Sequence, residues 1–343
     1  MYGRNLSIIA LAFSYLFSFL VVVFLKEMVK NNFRDDLKDN RKTLHFTITP
    51  SFNIPLNFNA EAINTDGNSL FVLSVPKCEI HIINLSGKRI DSIINKSDSS
   101  SRNEQIMDFY GSNNILDIAD TKSRIISSFD FNNNLKKTAN IPYKVNRICF
   151  ADHNKVIVET VGSWKNKAHF SNFTLIDFRT RTDHVIPQFI PTIDYNGLIF
   201  DGFFARNPSG GGFFINYFYN NITCFDTSGN IMYVKKTIDD AKLPKIKVSE
   251  MGWSTYVGDI KPINFSASID SSFIYILSNV QRKLSSGLVS NYVDLYRLKD
   301  GKYYGSILLP SIDSNIPSKI CIAKKELFAL YKNNLVCYNI KNL

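Results

Sequence analysis

One local pattern recurs along the chain and limits what it can fold into: two strand formers, a marker residue, then a turn. It reads Ile-Ile-Asn84-Leu-Ser-Gly-Lys, Ser-Phe-Asp130-Phe-Asn-Asn-Asn, Leu-Ile-Asp177-Phe-Arg-Thr-Arg, Cys-Phe-Asp226-Thr-Ser-Gly-Asn, Leu-Tyr-Arg297-Leu-Lys-Asp-Gly and Cys-Tyr-Asn339-Ile-Lys-Asn. The marked residues stand 46, 47, 49, 71 and 42 positions apart. Pairs such as Ser-Gly, Asn-Asn and Asp-Gly supply the positive φ of tight hairpin turns, so each copy is a strand entering a turn. Upstream of each copy lies a partner strand, at 70–75, 115–119, 155–160, 212–217, 273–277 and 326–331. A further apolar segment precedes each partner, at 60–63, 106–110, 148–150, 198–204, 265–269 and 319–323. Outer strands such as 89–94 or 304–309 follow the turns. Four strands per repeat and six repeats make the chain all-β, in the form of a six-bladed β-propeller spanning 43–343.

The two ends complement each other. The sixth repeat stops after its third strand, and residues 42–50 (KTLHFTITP) are β-rich and left over. Pairing 43–50 with the last blade closes the ring and removes two open sheet edges. Composition agrees with a packed β fold. With 27 Phe and 16 Tyr in 343 residues, the chain is not intrinsically disordered. Five Cys, an odd and sparse set, exclude a disulfide-stapled miniprotein. Cys149 and Cys321 fall on first strands and Cys224 and Cys337 on third strands, the places of small buried fillers.

Residues 6–25 (LSIIALAFSYLFSFLVVVFL) carry no charge over 20 positions, enough to cross a bilayer core as a helix. No small-x-small cleavage site follows, so 1–25 reads as a retained transmembrane anchor and 26–42 as a charged juxtamembrane stalk. Six basic residues after the run favour a cytoplasmic C-terminal domain by the positive-inside rule. A large folded domain behind an N-terminal anchor is more often exported, and the expectation here is a single-pass protein with a periplasmic propeller.

No HExxH, GxSxG, P-loop, GxGxxG or CxxC motif is present. The net charge of +10 is spread along the chain without a dense Lys/Arg stripe, which excludes nucleic-acid binding. The expected site is the channel mouth, where innermost strands contribute Glu61, Asp108, Asn146, Asp201 and Asn264 from five successive repeats. Such oxygen donors suit Ca²⁺, although a water-filled channel needs polar walls in any case, and no metal ligand is assigned. The gap of 71 holds an insertion at 237–263 with Trp253 and Tyr256, large aromatics of the kind that dominate protein interfaces.

In repeat length, blade number and N-terminal closure, residues 43–343 resemble the TolB-like and NHL-like six-bladed propellers, and are similar to membrane-anchored propellers of Bacteroidota envelopes. The turns at Asn84 and Asp226 look like NHL-type turns. The anchor-plus-propeller layout is also similar to the strictosidine-synthase-like and paraoxonase-like hydrolases, which implies a Ca²⁺-dependent hydrolase or lactonase as the alternative. The leading expectation is a binding module for an envelope protein or ligand, with no catalytic residue.

Overall fold

The computed structural model describes residues 41–44, 48–75, 79–86, 89–94, 106–112, 114–120, 123–164, 167–186, 201–207, 209–239, 243–248, 254–258, 260–283, 289–332 and 334–340. The expected anchor, Cys78 and Trp253 lie outside them. Among the described residues, no helix is long and apolar enough to cross a membrane.

Strand β1 (Pro50–Pro55) precedes the first blade, which is β2 (Asn59–Thr65), β3 (Ser69–Val75), β4 (Glu79–Asn84) and β5 (Arg89–Ile94). Blade 2 comprises β6 (Ile106–Ser112), β7 (Ile115–Asp120), β8 (Ile125–Asp130) and β9 (Leu135–Asn140). Blade 3 comprises β10 (Val145–Asp152), β11 (Lys155–Trp164), β12 (Lys167–Asp177) and β13 (Thr182–Val185). Blade 4 comprises β14 (Gly202–Arg206), β15 (Gly212–Asn216), β16 (Asn221–Phe225) and β17 (Ile231–Lys236). A separate two-stranded hairpin, β18 (Lys245–Val248) and β19 (Ser254–Val257), interrupts the series inside the expected insertion. Blade 5 follows as β20 (Asn264–Ile269), β21 (Phe273–Lys283), β22 (Val289–Arg297) and β23 (Tyr303–Pro310). Blade 6 is β24 (Lys319–Ala323), β25 (Glu326–Tyr331) and β26 (Asn334–Asn339), with β1 paired antiparallel to β26.

Five of the six marked residues end the third strand of their blade, and Asp226 immediately follows β16. Their turns use local side-chain bonds. Asp130 Oδ1 accepts from the amides of Asn132 and Asn134, and Asp226 Oδ1 accepts from Ser228 and Asn230 at 2.8 and 2.9 Å. Asn133 and Gly229 then adopt φ of 62° and 79°, which Asn tolerates and Gly favours.

Each blade has two apolar faces, and each gap between neighbours holds its own cluster of buried side chains. Phe71, Ile82, Phe109 and Ile118 fill the gap between blades 1 and 2, and Tyr110, Phe150 and Val158 fill the next. Ile157, Phe173 and Phe214 lie between blades 3 and 4, Phe213, Ile276 and Tyr296 between blades 4 and 5. Leu295, Ile307 and Tyr338 join blades 5 and 6, and Leu70, Phe328 and Cys337 join blade 6 to blade 1. The innermost strands pack in the ring order β2, β6, β10, β14, β20, β24 and back to β2. At Gly111 the Phe71 ring occupies the place of a Cβ, so these two blades approach more closely than any side chain would allow. The cysteines 149, 224, 321 and 337 are buried and free, as their strand positions predict.

The N-terminal segment is distributed differently from the expectation. The strand beside β26 is Pro50–Pro55, whereas 43–50 was expected there. Phe52 and Ile54 alternate inward onto the cluster around Phe328, and both prolines sit at strand ends, where an edge tolerates them. Residues 42–44 instead run alongside β23: Leu44 N–H donates to Ser306 O at 2.9 Å and Ser306 N–H to Lys42 O at 2.9 Å. Leu44 packs on Gly305, where a Cβ would meet its side chain at 2.6 Å.

Arg41 fixes this placement. Its guanidinium is bidentate to Asp294 at 2.9 and 2.8 Å, reaches Asp239 at 2.6 Å and Ser278 at 2.9 Å, and lies over the Tyr292 ring. Both ion pairs are closed to solvent, with side-chain exposures of 0% and 1%. Burial opposes the charge on Arg41, yet the two carboxylates outweigh it and raise its pKa. Burial likewise pushes Asp294 up, and Arg41 draws it back.

Candidate functional site

The innermost strands all begin at one mouth of the channel. Four of them are bulged near that end, between 60 and 62 in β2, 106 and 108 in β6, 145 and 147 in β10, and 264 and 266 in β20. A bulge inserts one unpaired residue and re-aims the side chains beside it. Glu61 and Asn146 occupy such positions, and Arg147 follows the bulge in β10.

Most of the expected mouth residues bind protein groups on neighbouring strands or blades instead of converging on one point. Asn264, 1% exposed, donates its amide to Asn216 O at 2.9 Å across blades 4 and 5. Asp108 accepts from Phe150 N–H at 3.4 Å across blades 2 and 3. Asn146 donates to Glu159 at 3.3 Å within blade 3. Asp201 accepts from Arg147 Nε at 3.0 Å across blades 3 and 4. Glu61 is exposed and interacts electrostatically with Lys319 of blade 6. Among the described residues, no three His, Cys, Asp or Glu side chains come together as a metal site. The five candidates therefore meet separate protein partners and are not gathered into one cluster.

What does assemble is a polar and aromatic cluster around Arg147. Its guanidinium lies between Asp201 and the buried Glu159, 3.4 Å from Glu159, and 5.4 Å over the Tyr217 ring. Burial works against this charge, but Asp201 first, and then its other neighbours, outweigh it and raise the pKa. The β18–β19 hairpin brings Tyr256 into the same place. Its ring meets Phe218 edge-on at 5.2 Å, and burial, together with the nearby Asp201 charge, pushes its hydroxyl up. Lys319, mostly enclosed, is lowered by burial and by Arg147 against the pull of Glu61. The hairpin alternates cleanly: Ile246 and Tyr256 are half-buried, while Lys245, Lys247, Thr255 and Val257 face solvent. Val257 is 49% exposed, as is Leu243 at 41%.

Sequence reasoning named Tyr256 and Asp201 separately, and the structure joins them. It missed Arg147, Glu159, Tyr217 and Lys319. The signal for Arg147 was one residue from Asn146, hidden by the bulge. Lys319 opens the sixth inner strand, the one repeat from which no candidate was drawn.

Asp108 has its own electrostatic character. Burial pushes its carboxyl up to about 7, against the amides of Phe109 and Phe150 and the charge of Arg206. A carboxyl raised on folding holds its proton more tightly in the native state, so it stabilises acidified protein and loses this contribution as pH rises toward 7. Replacing Asp108 by Asn is expected to leave stability near pH 4 almost unchanged and to raise it by about 2 kcal/mol at pH 8. Paired urea melts at the two pH values check this; equal effects at both would show that Asp108 is not desolvated.

No protein-family profile and no curated protein matches the chain. Solved structures do share its fold. A member of the DUF4221 family from Bacteroides vulgatus superposes with a TM-score of 0.51 at 12% identity, covering 89% of this chain and 99% of that one. The Cps50 (Swd1) β-propeller domain of Myceliophthora thermophila gives 0.50 at 9% identity, covering 86% and 100%. The virginiamycin B lyase of Staphylococcus aureus gives 0.48 at 13% identity, covering 85% and 99%. At these identities the likeness concerns the fold alone.

Proposed function

We propose that this six-bladed propeller is a membrane-tethered interaction module, held by residues 6–25 and presenting the hairpin-covered mouth to an envelope protein or ligand. One observation carries the reading. The hairpin lays its inner face, Ile246 and Tyr256, toward the Arg147–Asp201 pair while its outer face exposes Val257 opposite Lys245. An exposed apolar residue on a projecting element beside a polar, aromatic-lined mouth suits contact with another macromolecule. The periplasmic orientation belongs to the same proposal and rests on the export of large folded domains behind an N-terminal anchor, against the six basic residues that follow the run at 6–25. The alternative, a Ca²⁺-dependent hydrolase, would need ligands gathered at one point, and no three His, Cys, Asp or Glu side chains meet among the described residues.

The test replaces residues 240–261 of the full-length chain with a short Gly/Ser link, keeping the buried Asp239 and Ile263. No blade loses a strand, so the melting temperature is expected to change little, since loop length alters closure entropy by only about 0.6 kcal/mol per doubling. Partners cross-linked to the parent protein in its membrane should be lost, and an Arg147→Ala variant should lose them in part. Unfolding of the deletion variant would make the hairpin a structural cover. Unchanged partners in a folded variant would move the binding face elsewhere.

A further inference from the structure

Among the described residues, three guanidinium groups are wholly or partly buried with a distinct electrostatic setting, and one of them is treated differently from the others. Arg41 is met by Asp239 and Asp294, and Arg147 by Asp201 and Glu159. Arg206, the last residue of β14, has no carboxylate at ion-pair distance and no hydrogen-bond acceptor among the described residues. It reaches from blade 4 past β10 of blade 3 and places its guanidinium carbon 3.2 Å from the centroid of the Tyr110 ring in blade 2. Its Nε is fully enclosed and unbonded.

We propose that Arg206 is the seat of an oxyanion-binding site inside the propeller, for a small ligand bearing a carboxylate or phosphate group. A guanidinium carbon held over the Tyr110 ring makes a cation–π contact, which uses none of the N–H donors of the group. A planar fork held by an aromatic ring is preorganised for two parallel bonds to one carboxylate or phosphate. Burying part of such a charge without a partner is costly, and the described residues supply none at ion-pair distance. Asp108 and Asp152 act on Arg206 only at range, and burial leaves its pKa lowered. The surroundings also limit repulsion of an anion: Asp108 is pushed up to about 7 and the buried Cys149 thiol well above its ordinary value. His153 tilts over the same Tyr110 ring at 4.9 Å and is held through Nδ1 by Asp117 at 2.9 Å. The site is separate from the mouth around Arg147 and does not depend on the interaction reading.

The experiment is thermal unfolding and calorimetric titration of the full-length chain with inorganic phosphate and, separately, with succinate, at constant ionic strength. About 20 mM of the matching anion is expected to raise the melting temperature by about 2–3 °C, as binding at roughly ten times Kd would. A response to phosphate alone assigns a phosphate ligand, and a response to succinate alone assigns a carboxylate. Arg206→Gln should abolish the shift, and Arg206→Lys, which keeps the charge but loses the fork, should weaken binding at least about tenfold. No shift of the parent with either anion overturns the proposal. So does an equal shift in a folded Arg206→Gln protein, or unchanged affinity in Arg206→Lys should the glutamine variant not fold.

Discussion

Arg41→Met is expected to lower the unfolding free energy by about 3–5 kcal/mol, the usual cost of removing one partner from a buried ion pair. The substitution leaves Asp294 of blade 5 and Asp239, just beyond the outer strand of blade 4, without their shared counter-ion, both almost fully enclosed. Their remaining partners, Ser278 and Ser306, are neutral. The deficit should narrow on acidification, because the Asp294 carboxyl, raised by burial and no longer drawn back by Arg41, takes up a proton on folding and gains stability as pH falls. Denaturant titrations at pH 5 and pH 8 measure both effects. A loss below about 1 kcal/mol, or a deficit that widens in acid, would show that the pocket tolerates an unpaired carboxylate pair. Adding Asp239→Asn and Asp294→Asn to the methionine variant should restore part of the loss.

Graded truncation is expected to give the largest effect. Removing residues 1–40 keeps Arg41, the contacts with β23 and the whole of β1, so its melting temperature should match the parent. Removing 1–44 deletes the Arg41 clamp and should cost more than the methionine variant, because the bonds to Ser306 and the packing of Leu44 are lost as well. Removing 1–55 also strips β1 from β26 and takes Phe52 and Ile54 off the cluster around Phe328. Two half-buried side chains are worth about 2–4 kcal/mol together, and with the clamp the sum approaches the entire stability of an ordinary domain. An exposed β26 edge adds a route to aggregation. No soluble folded protein is expected from this last deletion, and a melt with sedimentation analysis of the three truncations decides it. A stable, monomeric 56–343 fragment would refute the role given to β1.

The parts of this molecule that the sequence revealed are those set by short-range chemistry. Asp130 and Asp226 bond to amides two and four residues ahead, so the strand–turn unit is written within seven consecutive positions and its repetition counts the blades. Position along the inner strands was harder to read. A bulge displaces every following side chain by one, which exchanged the expected Asn146 for Arg147 as the organising residue. Arg206 reads locally as an ordinary base at a strand end, and only the meeting of blades 2 and 4 around Tyr110 gives it meaning. The N-terminal strand was placed a few residues early for a similar reason. The pattern KTLHFTITP shows strand propensity, but the partner of Arg41 is a pair of aspartates some 200 and 250 residues away, and that contact assigns 41–44 to blade 5 and passes 50–55 on to blade 6.

That division has a mechanical side. The chain touches the outer edge of one blade at residues 41–44 and the outer edge of the next at 50–55, so it straddles the seam between them like a strap. A pull on the N-terminal end therefore meets the arginine clamp before it reaches any hydrogen bond of β1. The load is delivered to Asp294 in β22 of blade 5 and to Asp239 just beyond β17 of blade 4, while the ladder beside β26 stays slack until the clamp fails. The seam is thereby shielded from tension along the N-terminal segment, and the force needed to open the ring is set by a three-residue ionic contact instead of by the peeling of a strand.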